Sequence, residues 1–367
     1  MEHQDGTFCS HMEEKKGVEQ PPTTNNDAIL KFKQNKRKKL QLQLSDYIEG
    51  ILQGNITILS QAITLIESNL PEHQELAQQI IHACMPYSGK SIRIGITGVP
   101  GVGKSTFIES FGKIITSHNN KLAVLAIDPS SERTKGSILG DKTRMELLST
   151  DPNAYIRPSP SAGSLGGVAR KTRETIIVCE AAGYNVIFVE TVGVGQSETA
   201  VHSMVDFFLL LMLAGAGDQL QGIKRGIMEM ADSIAITKSD GENKDKANMA
   251  KIEYSSALHL FPTHPSGMNP EVFVCSAIEN QGLEKIWKHI QTYIQTTQAN
   301  SFFTNKRNSQ ASFWMYETIH SYLKQNFYAH SVISEKISEY EQAVIQGNMS
   351  SFMAAQELLD IYKHTNK

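Results

Sequence analysis

The residues from Gly98 to Thr106 form a complete phosphate-binding motif with G-x-x-x-x-G-K-S spacing. Its glycines allow backbone N–H groups to surround phosphate oxygens, because no Cβ stands in the way. In this pattern Lys104 contacts the β- and γ-phosphates and acts in catalysis, and the Ser105 hydroxyl binds Mg²⁺. The predicted nucleoside triphosphate site comprises Gly98, Val99, Pro100, Gly101, Val102, Gly103, Lys104, Ser105 and Thr106.

Two short motifs later in the chain indicate that the base is guanine. In Thr237-Lys238-Ser239-Asp240, the Asp240 carboxylate is placed to accept hydrogen bonds from the guanine N1–H and exocyclic amine. The aliphatic stem of Lys238 is expected to lie along the base. The later loop Ser276-Ala277-Ile278 is expected to present backbone N–H groups to the guanine oxygen. The order of the three motifs predicts guanine specificity.

Carboxylates follow two of the predicted strands and are candidates for magnesium binding. Asp128 follows the run Leu122–Ile127, and Glu190 follows the run 185–189. Ligands bind at the carboxyl ends of strands in open α/β sheets, and Mg²⁺ takes one or two carboxylates with phosphates and waters. The predicted Mg²⁺ contacts, direct or through water, are Ser105, Asp128, Asp141 and Glu190, with Asp128 and Glu190 also counted as catalytic. Each carboxylate could instead be a solvated loop residue without a ligand. For Asp141 taken alone, the sequence favours neither the Mg²⁺ contact nor the solvated loop residue.

The segment Glu190-Thr191-Val192-Gly193 has the place of a nucleotide-dependent switch. The backbone N–H of Gly193 is expected to reach the γ-phosphate, so that the loop orders with GTP and relaxes after hydrolysis. Val194 stands where a glutamine orients the attacking water in many GTPases, and valine cannot do this. Slow intrinsic hydrolysis that a partner accelerates is therefore predicted.

The elements around these motifs alternate between buried strands and helices. The predicted strands are the apolar runs at 92–96, 122–127, 185–189, 207–213, 233–237 and 272–275. Strands buried on both faces and separated by helices indicate a mostly parallel sheet. The predicted fold class is α/β, a P-loop NTPase fold flanked by N-terminal helices and a C-terminal helical arm.

Four segments are expected along the chain: a disordered polar and basic tail (1–40), a helical segment (41–88), the nucleotide domain (89–298) and a helical arm (299–367). Asn55 is a candidate helix cap and Pro71 a candidate helix start. The basic run between Lys31 and Lys39 is interpreted as solvated tail and not as a nucleic-acid or membrane patch, because Phe32 is its one aromatic residue.

Composition excludes several other classes of protein. The formal net charge of −3 gives no reason to expect a nucleic-acid or membrane partner. The cysteines Cys9, Cys84, Cys179 and Cys275 form no C-x-x-C pair, which argues against a zinc site or a disulfide framework. Neither a signal peptide nor a transit peptide is evident, so a cytoplasmic location is expected. The apolar run from Phe207 to Ala216 is too short to span a bilayer.

Four longer motifs closely resemble the MeaB/ArgK (MMAA-like) family of SIMIBI-class P-loop GTPases. They are Gly98 to Thr106, Ala126 to Ser131, Gly136 to Met145, and Glu190 to Glu198. The resemblance extends over about residues 45–360 and implies a homodimeric chaperone of adenosylcobalamin-dependent methylmalonyl-CoA mutase or a related acyl-CoA mutase. Such a chaperone uses GTP/GDP and Mg²⁺ to gate cofactor delivery and to protect or reactivate the mutase.

The resemblance also assigns roles to residues outside the phosphate-binding motif. The glycine-rich segment Gly215–Gly226 is similar to the family's extra switch loop, with Asp218 and Lys224 as its charged partner contacts. The C-terminal helices are similar to the family's dimerisation arm. No cobalamin is expected on this chain itself, and the adenosyltransferase is a second candidate partner. Thr237 stands where asparagine is common, so loss of the amide that bridges base and P-loop is expected to weaken nucleotide binding.

Two alternative functions compete with that of a mutase chaperone. A SIMIBI-class metallochaperone would carry Cys/His clusters, whereas the histidines are isolated from any cysteine pair. A transport-linked kinase, as in the older ArgK label, would need an amino-acid or phosphoacceptor site, and none is recognisable. Preference for ATP over GTP would exclude both GTPase hypotheses together.

Overall fold

A computed structural model describes residues 42–127, 145–158, 165–191, 197–215 and 221–365, without the side chains of residues 165 and 221–225. The strands in chain order are β1 (Ile92–Gly98), β2 (Leu122–Ile127), β3 (Ala154–Arg157), β4 (Val186–Thr191), β5 (Phe207–Met212), β6 (Ser233–Ile236) and β7 (Glu271–Val274). They form one seven-stranded sheet in the order β3-β2-β4-β1-β5-β6-β7. Each adjacent pair in this order is parallel. This is the α/β architecture of a P-loop NTPase, as predicted.

Helices flank the sheet and extend beyond it at both ends of the described chain. In order they are α1 (Leu44–Leu52), α2 (Ile56–Glu67), α3 (Pro71–Cys84), α4 (Lys104–Ser117), α5 (Glu146–Ser149), α6 (Leu165–Ala181), α7 (Ser197–His202), α8 (Gln221–Met230), α9 (Lys244–Leu258), α10 (Leu283–Ala299), α11 (Phe302–Ala329), α12 (Ser331–Ile345) and α13 (Ser351–Thr365). Asn55 caps α2 as predicted, accepting hydrogen bonds from the Thr57 and Ile58 N–H groups at 3.0 and 3.2 Å. Pro71 opens α3, also as predicted.

The two faces of the sheet carry different helices. On one face Phe111 of α4 stacks on Phe188 of β4 at 5.6 Å and meets Trp287 of α10 edge-on at 6.4 Å. On the other face α7 comes so close to β1 that a Cβ at Gly95 would lie 2.9 Å from Val201 Cγ1. Glycine at position 95 therefore sets the distance between α7 and the strand that leads into the P-loop.

Six of the strands were predicted from apolar runs, and the seventh was not. β3 is a four-residue edge strand that ends in a charged residue, Arg157, so its sequence lacks a long apolar run.

A second difference from the sequence prediction concerns β4, which continues to Thr191. Glu190 thus lies inside the strand, not after it. Its N–H and C=O groups belong to the ladder with β1 and β2, in which it pairs with Ile96 and Ala126.

Charged residues cluster where β1, β5 and β6 begin, and we call this group the amino-edge network. Arg307 of α11 donates two hydrogen bonds to the buried Asp206 carboxylate, at 2.8 and 2.7 Å. Lys306 Nζ lies 3.6 Å from Asp232, which also accepts a hydrogen bond from Tyr293 Oη at 2.7 Å. The network comprises Arg93, Glu180, Asp206, Asp232, Tyr293, Lys306 and Arg307. It fastens the C-terminal helix α11 to the sheet.

The C-terminal helices expose many apolar side chains. On α11 these are Phe313, Met315, Tyr316, Ile319, Tyr322, Leu323 and Tyr328, each at least 45% exposed. An apolar groove of about 530 Å³ lies between α11 and α13, lined in part by Leu323, Phe327, Leu358 and Tyr362. Within the described ranges, no helix combines the length and apolarity needed to cross a membrane.

Candidate functional site

The P-loop connects β1 to α4, and its shape depends on glycine at three positions. A Cβ at Gly98 would lie 2.6 Å from the Leu211 carbonyl oxygen of β5, so no larger residue fits there. Gly101 and Gly103 have φ values of +77° and +86°, in the left-handed region that other residues avoid. The loop is closed by the Val102 N–H, which donates to the Val99 carbonyl at 3.2 Å. The structure therefore forms the curved backbone that the motif predicts.

Lys104 opens α4 directly after this loop. Its Nζ donates a hydrogen bond to the Gly98 carbonyl at 2.8 Å, which folds the side chain back across the loop. Burial lowers the pKa of the Lys104 ammonium below its usual value, and the carboxylates of Glu190 and Glu198 oppose that shift. A cation held in a partly desolvated loop is suited to receive an anionic ligand. Ser105 follows in the same helical turn.

The two predicted guanine-recognition loops lie side by side. Ser276 Oγ donates to Asp240 Oδ2 at 2.7 Å, and the Ser239 N–H donates to the Cys275 carbonyl at 3.2 Å. Ser110 of α4 donates to the Ala277 carbonyl at 2.8 Å and joins this loop to the P-loop helix. The structure thus brings together Lys238, Asp240, Ser276, Ala277 and Ile278, of which Ile278 is 77% exposed.

Thr237 joins the base-recognition motif to the P-loop. Its hydroxyl donates to the Val102 carbonyl of the P-loop at 2.7 Å, and the side chain is buried. A hydroxyl therefore contacts the P-loop at a position where an amide is common, and the expected weakening of nucleotide binding stays a prediction. Lys238 has a φ value of +56°. Its side chain lies against Gly103 of the P-loop, because a Cβ built at that glycine would be 3.7 Å from Lys238 Cε. The base-recognition strand and the P-loop are in direct contact.

Glu190 is the one predicted switch and magnesium carboxylate whose position is described. It is 6% exposed, and its charge acts electrostatically on Lys104, raising the pKa of the lysine against the effect of burial. Next to it, Thr191 Oγ1 lies 2.8 Å from Thr97 Oγ1 of β1. Asp128, Asp141, Gly193 and Asp218 fall outside the described residues, and Lys224 lies in α8 without a described side chain. Their roles remain predictions.

Glu198 has no role in the sequence prediction, although it ends one of the motifs on which the family resemblance depends. It lies in the first turn of α7 and is fully buried, with 0% exposure. Its charge raises the pKa of Lys104, as that of Glu190 does. A glutamate just after a switch motif gives no sequence signal of burial, so only the fold identifies it as part of the site.

The donor set fits a phosphate chain with a divalent cation. Gly101 and Gly103 have left-handed backbone conformations, and the space beside Gly101 is open, since no neighbouring atom lies within 4 Å of a Cβ built there. Glu190 and Glu198 both act electrostatically on the Lys104 ammonium. Mg²⁺ prefers carboxylate and hydroxyl oxygens and usually retains waters and substrate phosphates. Ser105 and Glu190 supply such oxygens at this end of the sheet.

Comparison with known proteins finds similar proteins over most of this chain. The family model described as methylmalonyl Co-A mutase-associated GTPase MeaB matches residues 59–331. GTPase ArgK of Escherichia coli is 48% identical over 272 residues, which cover 74% of this chain and 82% of that protein. The mouse methylmalonic aciduria type A homolog, a mitochondrial protein, is 44% identical over 324 residues, covering 86% of this chain and 78% of that one.

A solved structure shows the same fold over most of the chain. The crystal structure of a LAO/AO transport system kinase superposes on this chain with a TM-score of 0.70 and 36% sequence identity. The match covers 87% of this chain and 97% of that one. Together with the P-loop geometry, these similarities establish that the chain belongs to the MeaB family of methylmalonyl-CoA mutase-associated P-loop GTPases.

Proposed function

We propose that this protein is a GTP-dependent chaperone of methylmalonyl-CoA mutase, or of a related cobalamin-dependent acyl-CoA mutase. In this role it gates delivery of adenosylcobalamin to the mutase and protects or reactivates it. The observation that carries the nucleotide part is the Thr237–Val102 hydrogen bond, which joins the guanine-recognition motif to the P-loop. The family description supports the mutase as client.

Each group of the site has a defined task in this proposal. Lys104 leaves the Gly98 carbonyl to contact the β- and γ-phosphates, and P-loop N–H groups bind the remaining phosphate oxygens. Asp240, oriented by the Ser276 hydroxyl, accepts the guanine N–H groups. Adenine has no donors there, so it would leave a carboxylate unpaired.

Magnesium would be held by Ser105 and Glu190, with Asp128 and Asp141 as the further predicted contacts. When bound, Mg²⁺ neutralises charge that develops on the phosphates during hydrolysis. Glu190 is well placed for this because its strand, β4, lies directly beside β1 and the P-loop.

Slow hydrolysis follows from Val194, which cannot orient the attacking water. The partner is expected to complete the site through the segment Gly215–Gly226, with Asp218 and Lys224 as contacts. In sequence, the segment begins after β5, a strand directly beside β1 and the P-loop, and ends within α8. A charged, glycine-rich loop at this place suits a signalling role.

Assembly as a homodimer belongs to the same proposal. The apolar side chains exposed on α11 and the groove beside them offer a surface that a second copy would cover. Cobalamin is carried by the partners in this proposal, not by this chain, and the adenosyltransferase is a second candidate partner.

Single-turnover GTP hydrolysis, with and without methylmalonyl-CoA mutase, tests the proposal. The isolated chain should turn over far more slowly than about 10 s⁻¹, the typical enzyme median, and the mutase should accelerate it. Asp218→Asn and Lys224→Ala should lose the acceleration and keep the basal rate. A fast isolated enzyme, or a mutase without effect on wild-type hydrolysis, would contradict the proposal.

A further inference from the structure

The turn that carries the second guanine-recognition motif presents backbone donors to its surroundings. Ser276 and Gln281 close this turn, because the N–H of each donates to the carbonyl of the other at 3.0 Å. The Glu279 N–H donates to the Ser276 hydroxyl at 3.1 Å. In the part of the chain that the structure describes, neither the Ala277 N–H nor the Ile278 N–H donates a hydrogen bond. Such backbone donors require water or a ligand as acceptor.

Ser110, on the P-loop helix α4, contacts this turn from a distant part of the chain. Its hydroxyl donates to the Ala277 carbonyl at 2.8 Å, and 167 positions of sequence separate the two residues. The hydroxyl of Ser117, on the same helix, donates instead to the Ile114 carbonyl at 2.6 Å, a local bond of the kind that helical serines commonly make. The Ser110 hydroxyl therefore joins two parts of the site and not two turns of one helix.

A hydrogen bond on the Ala277 carbonyl also fixes the direction of the next N–H. The Ala277 carbonyl and the Ile278 N–H belong to one planar trans peptide unit, in which the two groups point in opposite directions. With its oxygen held by Ser110, this unit turns its N–H away from α4. Ser276 of the same turn orients Asp240, the predicted acceptor for the guanine N1–H. Since O6 is bonded to the ring carbon next to N1, both guanine groups lie on one edge of the base.

We propose that Ser110 is a positioning residue that determines how strongly the site recognises the guanine O6. It holds the peptide unit between Ala277 and Ile278 in the orientation in which the N–H donates to O6. Without the hydroxyl this unit rotates more freely and must be ordered when the nucleotide binds, which costs affinity. The inference rests on the proposed guanine-nucleotide site and adds a link between the P-loop helix and recognition of the base.

Equilibrium binding of GTP, 6-thio-GTP and ITP to Ser110→Ala tests this inference. 6-Thio-GTP keeps the two donors that face Asp240 and replaces O6 by sulfur, a weak acceptor. ITP keeps O6 and lacks the exocyclic amine, so it reports on Asp240. Ser110→Thr restores a hydroxyl at the same position. Ser117→Ala is the matched control, since it removes a serine hydroxyl whose bond stays within α4.

A second control shows whether loosening the turn in general has the same effect. Lys244 Nζ of α9 lies 3.3 Å from Glu279 Oε2, and both side chains are at least one-third exposed. Lys244→Ala removes this contact with the turn and leaves the Ser110 hydrogen bond in place. It should bind GTP within about twofold of wild type, because exposed ion pairs contribute little.

Wild type should bind GTP more tightly than 6-thio-GTP. Ser110→Ala should bind GTP roughly fivefold more weakly, as expected for one lost hydrogen bond, and should show a smaller preference for GTP over 6-thio-GTP. Its preference for GTP over ITP should equal that of wild type, because Asp240 is unchanged. Ser110→Thr should recover most of the lost affinity, and Ser117→Ala should match wild type.

Two results would overturn the inference. One is a GTP affinity of Ser110→Ala within about twofold of wild type. The other is an equal loss for GTP and 6-thio-GTP, which would indicate a role in folding only. Thermal unfolding shows whether each variant is folded, and Ser110→Cys, whose thiol is a weak donor, replaces Ser110→Ala if that variant does not fold. Failure of the wild-type chain to bind GTP would instead refute the proposed function.

Discussion

The two edges of the central sheet use buried charge in opposite ways. At the amino edge, Asp206 and Asp232 are bound by cationic and hydroxyl groups of the chain itself. At the carboxyl edge, Lys104 is bound to a neutral carbonyl, with Glu190 and Glu198 acting on it electrostatically. The amino edge satisfies its charges with groups of the chain itself, and the carboxyl edge brings a cation and two carboxylates beside the P-loop.

Ionised side chains therefore serve two purposes in this fold. Those at the amino edge stabilise it, and those at the carboxyl edge are available for nucleotide binding. A buried carboxylate with several protein donors fixes elements together, as that of Asp206 does by accepting hydrogen bonds from the Arg93 N–H of β1 and the Arg307 guanidinium of α11. Burial lowers the pKa of Lys104, and an anionic ligand beside this lysine would stabilise its charged form. Substitutions at the amino edge should therefore affect unfolding, and those at the carboxyl edge should affect nucleotide binding.

The largest effect is expected from Arg307→Ala at the amino edge. It removes both hydrogen bonds to Asp206 and leaves that carboxylate buried, which costs about 3–5 kcal/mol in the free energy of unfolding. Urea denaturation measures the loss. Arg170→Ala, which breaks a more exposed pair with Glu174, should cost at most about 1 kcal/mol. If the two variants lost similar amounts of unfolding free energy, the claim that the amino edge stabilises the fold would be wrong.

Lys104→Ala should reduce kcat/KM for GTP by about 10²–10³-fold, because it removes the cation that stabilises the phosphates. Its free energy of unfolding should not fall, since the lysine is partly desolvated in the folded state. Lys113→Ala, on the same helix but nearly half exposed, is the control and should keep wild-type kinetics. Unchanged hydrolysis by Lys104→Ala would refute the P-loop assignment.

Asp240→Asn should shift binding from GTP toward xanthosine triphosphate, because the amide exchanges an acceptor for a donor. The lost charged hydrogen bonds correspond to about 1.5–3 kcal/mol in binding free energy. Competition between the two nucleotides measures the shift. Asp245→Asn, an exposed change five residues later in α9, serves as the control. If the preference stays with GTP, Asp240 does not recognise the base.

The smallest effect is expected from Thr237→Val, which removes the hydroxyl bound to Val102 and keeps the side-chain volume. Loss of one buried hydrogen bond should weaken GTP binding by about 1 kcal/mol. Isothermal titration with GTP resolves a change of this size. A variant with wild-type affinity would show that the contact between base-recognition strand and P-loop does not organise the site.

Sequence patterns predicted those features that depend on nearby residues. The P-loop, the cap at Asn55 and the six apolar strands all have local signals, and each is present in the structure. The edge strand β3 was missed because four residues ending in Arg157 carry too little periodicity. Local pattern also placed the end of β4 two residues too early.

Features that depend on distant residues could not be predicted in this way. Arg307 and Asp206 are separated by 101 positions, and only the fold brings α11 to the start of β5. The burial of Glu198 depends on how closely α7 approaches Gly95. The hydrogen bond from the Thr237 hydroxyl to the Val102 carbonyl joins residues 135 positions apart, so only the fold reveals it.

The most direct test of the central claim is the affinity of this chain for methylmalonyl-CoA mutase in different nucleotide states. A pull-down and titration should be carried out with GDP, with GTP and with a non-hydrolysable GTP analogue. We expect the affinity for the mutase to differ by at least about tenfold, or about 1.4 kcal/mol, between GDP and the analogue. Equal affinities in all three states would contradict the account of the carboxyl edge as a nucleotide-controlled switch.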